Sequence, residues 1–214
     1  MWRKTDASQV AVLVWLGLMT PPLRAALESS MVLHMLVQLP LLALVGVTWA
    51  RAWAGAPISS LRGRVLAWLQ RYNRGGVTGL IVASFTMLLW MLPRWLDAAR
   101  MDLTVDLIKF ISVPLAFGAA LALSWPRCPP IARAVIHLEG IATLLRFGWG
   151  YLAADQRLCL VYLQDDQQRV GVLLLCVAAA WAIAVAWRPL FGPLPFLGRN
   201  SAVIRLFGQV RSST

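Results

Sequence analysis

Asp102, Asp106 and Lys109 stand at i, i+4 and i+7 beside a long apolar run, a spacing that places all three on one helical face. Ionisable groups inside a membrane helix cost a few kcal/mol at its centre and are usually paired or functional. Two readings are open. Asp106 and Lys109 form a local pair with the lysine stem snorkelling outward, or the three line a site. His34 follows Met31 by three residues and precedes Gln38 by four, so these can face a bundle interior, as a packing histidine or as a ligand. Six of the seven methionines (Met19, Met31, Met35, Met87, Met91, Met101) fall at corresponding ends of apolar runs. So do seven of the nine acids: Glu28, Asp97, Asp102, Asp106, Asp155, Asp165 and Asp166. Thioether sulfur suits Cu(I) and imidazole suits copper in either state, so a Met/His/carboxylate cluster there could hold or pass copper. Ordinary packing of methionine and charge sorting of acids would give the same pattern.

A second polar group lies in another run. Glu139 and Arg146 are seven apart on one face, and His137 is nearby. Arg146 is deep enough in its run to require a partner from another helix or a cavity, as structural glue or as the lining of a path. Cys128, Cys159 and Cys176 have no metal-binding spacing. Cys128 reads as a free thiol, Cys159 as a loop thiol open to ligation or oxidation, and Cys176 as core. No nucleophile elbow, P-loop, GxGxxG or CxxCH is present, so nothing points to an enzyme.

The elements that must position these groups follow from composition. The chain has 214 residues, 59% hydrophobic, with mean hydropathy +0.68, where a soluble domain usually has about 45–50% apolar residues. Several runs approach the roughly 20 helical residues that cross a bilayer core, and none alternates as a transmembrane strand does. The expected fold is all-α: a polytopic transmembrane bundle in one domain, residues 1–187, followed by a basic tail, 188–214. Six segments are expected at about 7–20, 31–50, 76–92, 105–125, 131–153 and 170–187. The first is short, so it borrows Pro21–Leu27 as a kinked extension or is re-entrant. The stretch 51–75 carries five arginines, with Leu61, Val65, Trp68 and Leu69 on one face, and reads as an amphipathic helix in the headgroup layer.

Net charge is +11, and eighteen of the twenty basic residues are arginine. They sit between apolar runs, forming no stripe and accompanying no nucleic-acid motif, so nucleic acid is not an expected partner; membrane lipid is. Loop basic residues split thirteen to five between alternating faces. That sorting predicts six crossings with both termini cytoplasmic. His34 and His137 then lie near opposite faces, so no haem held by both is expected.

Two stretches carry a resemblance. The first is LHMLVQLPLLALVG, Leu33–Gly46, where Gln38 stands four residues after His34. The second is Leu88–Pro126, with Trp90, Pro93, Asp97, Ala98, Ala99, Trp125 and Pro126. Together they resemble the CtaG-like family of membrane proteins linked to cytochrome c oxidase assembly. His34 matches a family histidine, while Gln38 and Met91 stand where further histidines are usual. The resemblance implies a protein of the bacterial inner membrane that assists copper delivery to, or assembly of, a respiratory oxidase at the periplasmic face. It implies copper as cofactor and, as ligands, His34, Met35, Met91, Asp102 and Asp106, with Lys109 neutralising the acids when metal is absent. Oxidase subunits or a periplasmic copper chaperone would be the partners. The alternatives from other classes are a small transporter or permease component, with Glu139 and Arg146 lining a path and Asp106–Lys109 as a gate, or a non-catalytic subunit of a membrane complex.

Overall fold

A computed structural model describes residues 4–191 apart from 55, 56 and 58; the expected basic tail lies outside the described residues beyond 191. All regular structure among the described residues is helical. Helices α1 (Lys4–Met19) and α2 (Pro21–Leu27) meet at a 77° bend. Thr20 is extended and Pro21 supplies a fixed φ at the first helical position, where no N–H is needed. The long helix α3 spans Met31–Trp53. Its start is capped by the Ser30 hydroxyl, which accepts from the Val32 amide. Helices α4 (Leu61–Tyr72) and α5 (Val77–Met91) are bent by 97°, around Gly76 at φ +74°, a conformation side-chain-bearing residues resist. Then come α6 (Pro93–Met101), α7 (Leu103–Arg127), α8 (Pro130–Ala153) and α9 (Gln164–Phe191).

Three of these helices, α3, α7 and α9, are long and apolar enough to cross a membrane, and the number rises to five if each bent pair is one span. The outward surface of the helices is apolar: Leu13, Phe85, Leu138, Trp149 and Ile183 are all exposed. On α4, Leu61, Val65, Trp68 and Leu69 are exposed too, as an amphipathic helix on a lipid surface requires.

The turns collect at two ends. At one, the Met31 amide donates to Asp166, Tyr151 donates to the Met91 carbonyl, and Asp97 accepts the amides of Leu160 and Val161. This end holds the seven acids named above. At the other, Asn73 donates to Ser124 and Trp181 donates to His137. Around it lie Arg51, Arg62, Arg64, Arg71, Arg74 and Arg127. The two are called the acidic and the basic end below.

Helices α3 and α7 touch backbone to backbone. A Cβ on Gly46 would stand 1.8 Å from the Pro114 carbonyl oxygen, and one on Gly118 would stand 2.1 Å from that of Ala43. Such small-residue contacts draw membrane helices together where no hydrophobic effect can. Both helices carry π-helical turns, His34–Gln38 in α3 and Val113–Ala119 in α7. Each lies beside a proline, Pro40 and Pro114, that cannot donate to the residue four earlier. For Pro114 that residue is Phe110, whose carbonyl accepts from Trp15 Nε1 at 2.9 Å. The indole of α1 thus takes up an acceptor that hydrocarbon could not satisfy.

Several expectations need correction. Helix α7 begins at Leu103, not Val105, so Asp102 is not on its face: it is an extended N-cap residue accepting from the Thr104 amide at 2.7 Å. Helix α9 begins at Gln164, six residues before the apolar run, because Asp165 and Asp166 occupy its first turn, where acids favour the helix dipole. Cys176 is exposed rather than core, on an apolar helix whose outer surface needs no polar residues.

Candidate functional site

Lys109 sits on the second turn of α7, at the acidic end, and is 0% exposed. The close approach of α3 to α7 brings His34 and Gln38 against it. In the π-helical turn the Leu39 amide reaches back to the His34 carbonyl. That wider winding sets residues four apart nearly in line, which aims His34 and Gln38 at one point. Glu28 comes from the linker after α2. The ammonium donates to Glu28 Oε1 at 2.7 Å, His34 Nε2 at 3.0 Å and Gln38 Oε1 at 3.1 Å. Those three bonds use its three hydrogens.

Asp106 Oδ1 also lies 2.8 Å from Lys109 Nζ, yet it is left without a hydrogen bond. The contact is a close charge pair whose angles fall outside those of a hydrogen bond. Asp106 Oδ2 is held by Arg24 Nε of α2 at 2.9 Å. Arg24 and Arg100 each reach Glu28 Oε2 at 3.5 Å. Gln38 Nε2 donates to Glu28 Oε1 at 3.2 Å.

The proton positions around His34 follow by elimination. Tyr162 donates its hydroxyl proton to the Glu28 carbonyl at 3.3 Å, so its oxygen accepts from His34 Nδ1 at 2.7 Å. Nε2 is therefore the lone-pair nitrogen that receives the Lys109 proton. With His34 neutral, Arg24, Arg100 and Lys109 face Glu28 and Asp106, three positive charges against two negative. Burial alone would raise the Glu28 carboxyl, but the charge and hydrogen bond of Lys109 outweigh it and hold Glu28 at about 2.

The other expected residues lie apart. Met35 and Met91 are buried on a different side, around Tyr151, whose hydroxyl lies 4.0 Å from Met35 Sδ. Asp102 is exposed at its cap. His34 and Asp106 do meet, but about the Lys109 ammonium. The five proposed copper ligands do not fit one ion: His34 presents Nε2 to an ammonium and Nδ1 to Tyr162, and no group of three or more His, Cys, Asp or Glu among the described residues converges on a metal position. Glu139 and Arg146, both exposed, pair with each other at 2.9 Å along α8 rather than with another helix. The two stand about two turns apart on one side of the helix, a separation the long arginine side chain bridges, so the pair needs no cavity. His137 accepts from Trp181 Nε1 at 3.1 Å and lies edge-on to Trp125, at the basic end. Cys159 is a free, buried thiol beside Asp97; burial, then that carboxylate, pushes it up to about 12.

Arg24, Arg100 and Tyr162 join the centre without a sequence signal, since each is a loop or short-helix residue on a different element from Lys109. Glu28 had a faint one: it is a lone acid at the mouth of the run that carries His34. No protein-family model, curated protein or solved structure matches the chain significantly.

Proposed function

We propose that the chain is a proton-linked carrier or gate of a bacterial cytoplasmic membrane, with six crossings, both termini on the cytoplasmic side and the acidic end facing outward. The loop charges support that orientation: the basic end holds Arg51, Arg62, Arg64, Arg71, Arg74 and Arg127. One observation carries the function. Asp106 Oδ1 is the one buried side-chain oxygen among the described residues with no hydrogen-bond partner. It has the Lys109 ammonium at 2.8 Å as a charge partner and no hydrogen bond besides, so among the carboxylate oxygens of this centre it is the one with acceptor capacity left over.

A proton taken up on Oδ1 removes the negative charge that Arg24 and Lys109 share. Arg24 then has Glu28 alone to hold it, at 3.5 Å. The helix that carries Arg24, α2, caps this end of the bundle and meets α1 at a bend, so its release opens the centre to the outer aqueous phase. Glu28, His34, Asp106, Arg24, Arg100, Lys109 and Tyr162 are the ionisable groups that face the step.

The test is proton entry into vesicles holding the purified full chain and a pH-sensitive dye, driven by a potassium diffusion potential. Wild type should acidify the lumen several-fold faster than empty vesicles, and Asp106→Asn should return the rate to that of empty vesicles. The asparagine keeps an oxygen for Arg24 and loses the proton site. Equal rates in all three would overturn the reading.

A second reading, the oxidase-assembly role, is favoured by one observation. The two stretches that resemble CtaG-like factors are packed against each other through Gly46, Pro114, Ala43 and Gly118. Gentle affinity purification from a respiring host would bring down oxidase subunits under this reading and none under the first.

A further inference from the structure

Toward the basic end, α8 and α9 stand away from α5 and the end of α7, and the gap is a cleft of about 760 Å3. Its walls are apolar, formed by Val47, Leu80, Met87, Phe117, Leu121 and Leu144. Trp181 closes the back, lying over Gly140, where a Cβ would stand only 2.4 Å from the indole. Along α5 the lining runs from Leu80 to Met91, about 16 Å at ~1.5 Å per residue. One leaflet of a bilayer core is about 15 Å deep, half of roughly 30 Å. At the basic-end mouth stand Arg51 and Arg127, both exposed, with Gln70 of α4 beside them. Glu139 lines the cleft too, but its carboxylate is taken up by Arg146.

We propose that this cleft is a binding site for an anionic phospholipid of the leaflet at the basic end. An acyl chain would lie along α5 and the phosphate would meet Arg51 and Arg127. The cleft runs from the basic-end mouth along α5 to Met91, long enough for an acyl chain; the lining matches a hydrocarbon chain, and the charge at the mouth matches an anionic headgroup rather than a neutral one. The neighbouring α4 adds Arg62, Arg64 and Arg71 to that surface, and basic residues beside a membrane attract anionic lipid. Nothing in this site touches the Lys109 centre, so it stands or falls separately from proton transfer.

Native mass spectrometry of the detergent-purified full chain tests it, with phosphatidylglycerol and phosphatidylcholine of identical acyl chains added in turn. One phosphatidylglycerol should be retained at activation energies that strip phosphatidylcholine, with an affinity about tenfold higher. The Arg51→Gln, Arg127→Gln double variant should lose that preference. Ser84→Trp, which fills the cleft, should lose retention of both lipids, and Ala122→Phe serves the same end if that variant does not fold. Equal retention of the two lipids by wild type, or unchanged phosphatidylglycerol retention in the filled variants, would overturn the proposal.

Discussion

The Glu28 carboxylate and the Lys109 ammonium meet at 2.7 Å, although they stand 81 positions apart in the chain. Both are nearly or fully buried, and their meeting ties the linker after α2 to the second turn of α7. Removing Glu28 leaves the buried ammonium with Asp106, which Arg24 also claims, and removing Lys109 leaves Glu28 with only the longer contacts to Arg24 and Arg100.

Lys109→Met should therefore lower stability by about 3–5 kcal/mol, the usual cost of stranding one half of a buried pair. The Glu28→Gln, Lys109→Met double variant should lose less than the sum of the two single variants, because neither charge is then left alone. Thermal unfolding of the four proteins in one detergent gives the comparison. Strict additivity would mean the two residues do not depend on each other.

Glu28 should also give stability a particular dependence on acid. Its folded carboxyl lies at about 2, below the ordinary 4.5. The native state thus binds the proton less readily than the unfolded chain does. The stabilisation is complete above about pH 4.5 and is lost as the pH falls through 4.5 toward 2. The difference in melting temperature between wild type and Glu28→Gln should shrink steadily from pH 6 to pH 2.5. A difference constant over that range would refute the coupling.

Gly46→Ala should prevent α3 from seating on α7, since its Cβ would overlap the Pro114 carbonyl oxygen. The loss is expected to exceed about 2 kcal/mol, the upper part of the range for overpacking. Gly17→Ala is the matched control, with nothing within 4 Å of the added carbon. It should be neutral or slightly stabilising, because alanine favours a helix by up to about 1 kcal/mol. Membrane accumulation and size-exclusion profiles of the two variants would separate the effects.

Cys159 should resist a water-soluble maleimide. At pH 8 a thiol held at about 12 exposes on the order of a thousandfold less thiolate than an ordinary one. A Cys128→Ser, Cys176→Ser background isolates it. Labelling should be slow in the native state and fast in denaturing detergent, and comparable rates would place the thiol in solvent.

The helical membrane-like class was legible because it rests on composition and run length, which no tertiary contact can alter. The inward face of His34 and Gln38 was legible too, from their spacing beside Met31. Asp106 and Lys109 declared themselves by standing charged inside an apolar run. What surrounds them did not. Arg24 and Glu28 read as loop charges, because nothing local says that a 77° bend folds α2 over α7. Asp102 was misplaced by the regularity of its spacing: i, i+4 implies one face only if the helix has already begun, and Asp102 is the residue that begins it. Arg146 was credited with a distant partner because depth in the run was judged without asking which side of the helix faced lipid. The methionines shared an end of the bundle but not a point, since six residues on four helices can all lie at one level and still look in different directions.

The bend after Met19 has a consequence for how the protein is made. Glu28, His34 and Gln38 leave the ribosome long before Lys109 does, so the residues that answer the buried ammonium are already in place when it arrives. The early segment then waits as a half-finished receptor, and the insertion of α7 is completed by docking onto it. A version of the chain started after Glu28 would keep its long helices and their hydropathy, yet it would deliver a lysine into the membrane with its first partner missing. Such a chain should be a substrate for membrane quality control rather than a smaller working protein.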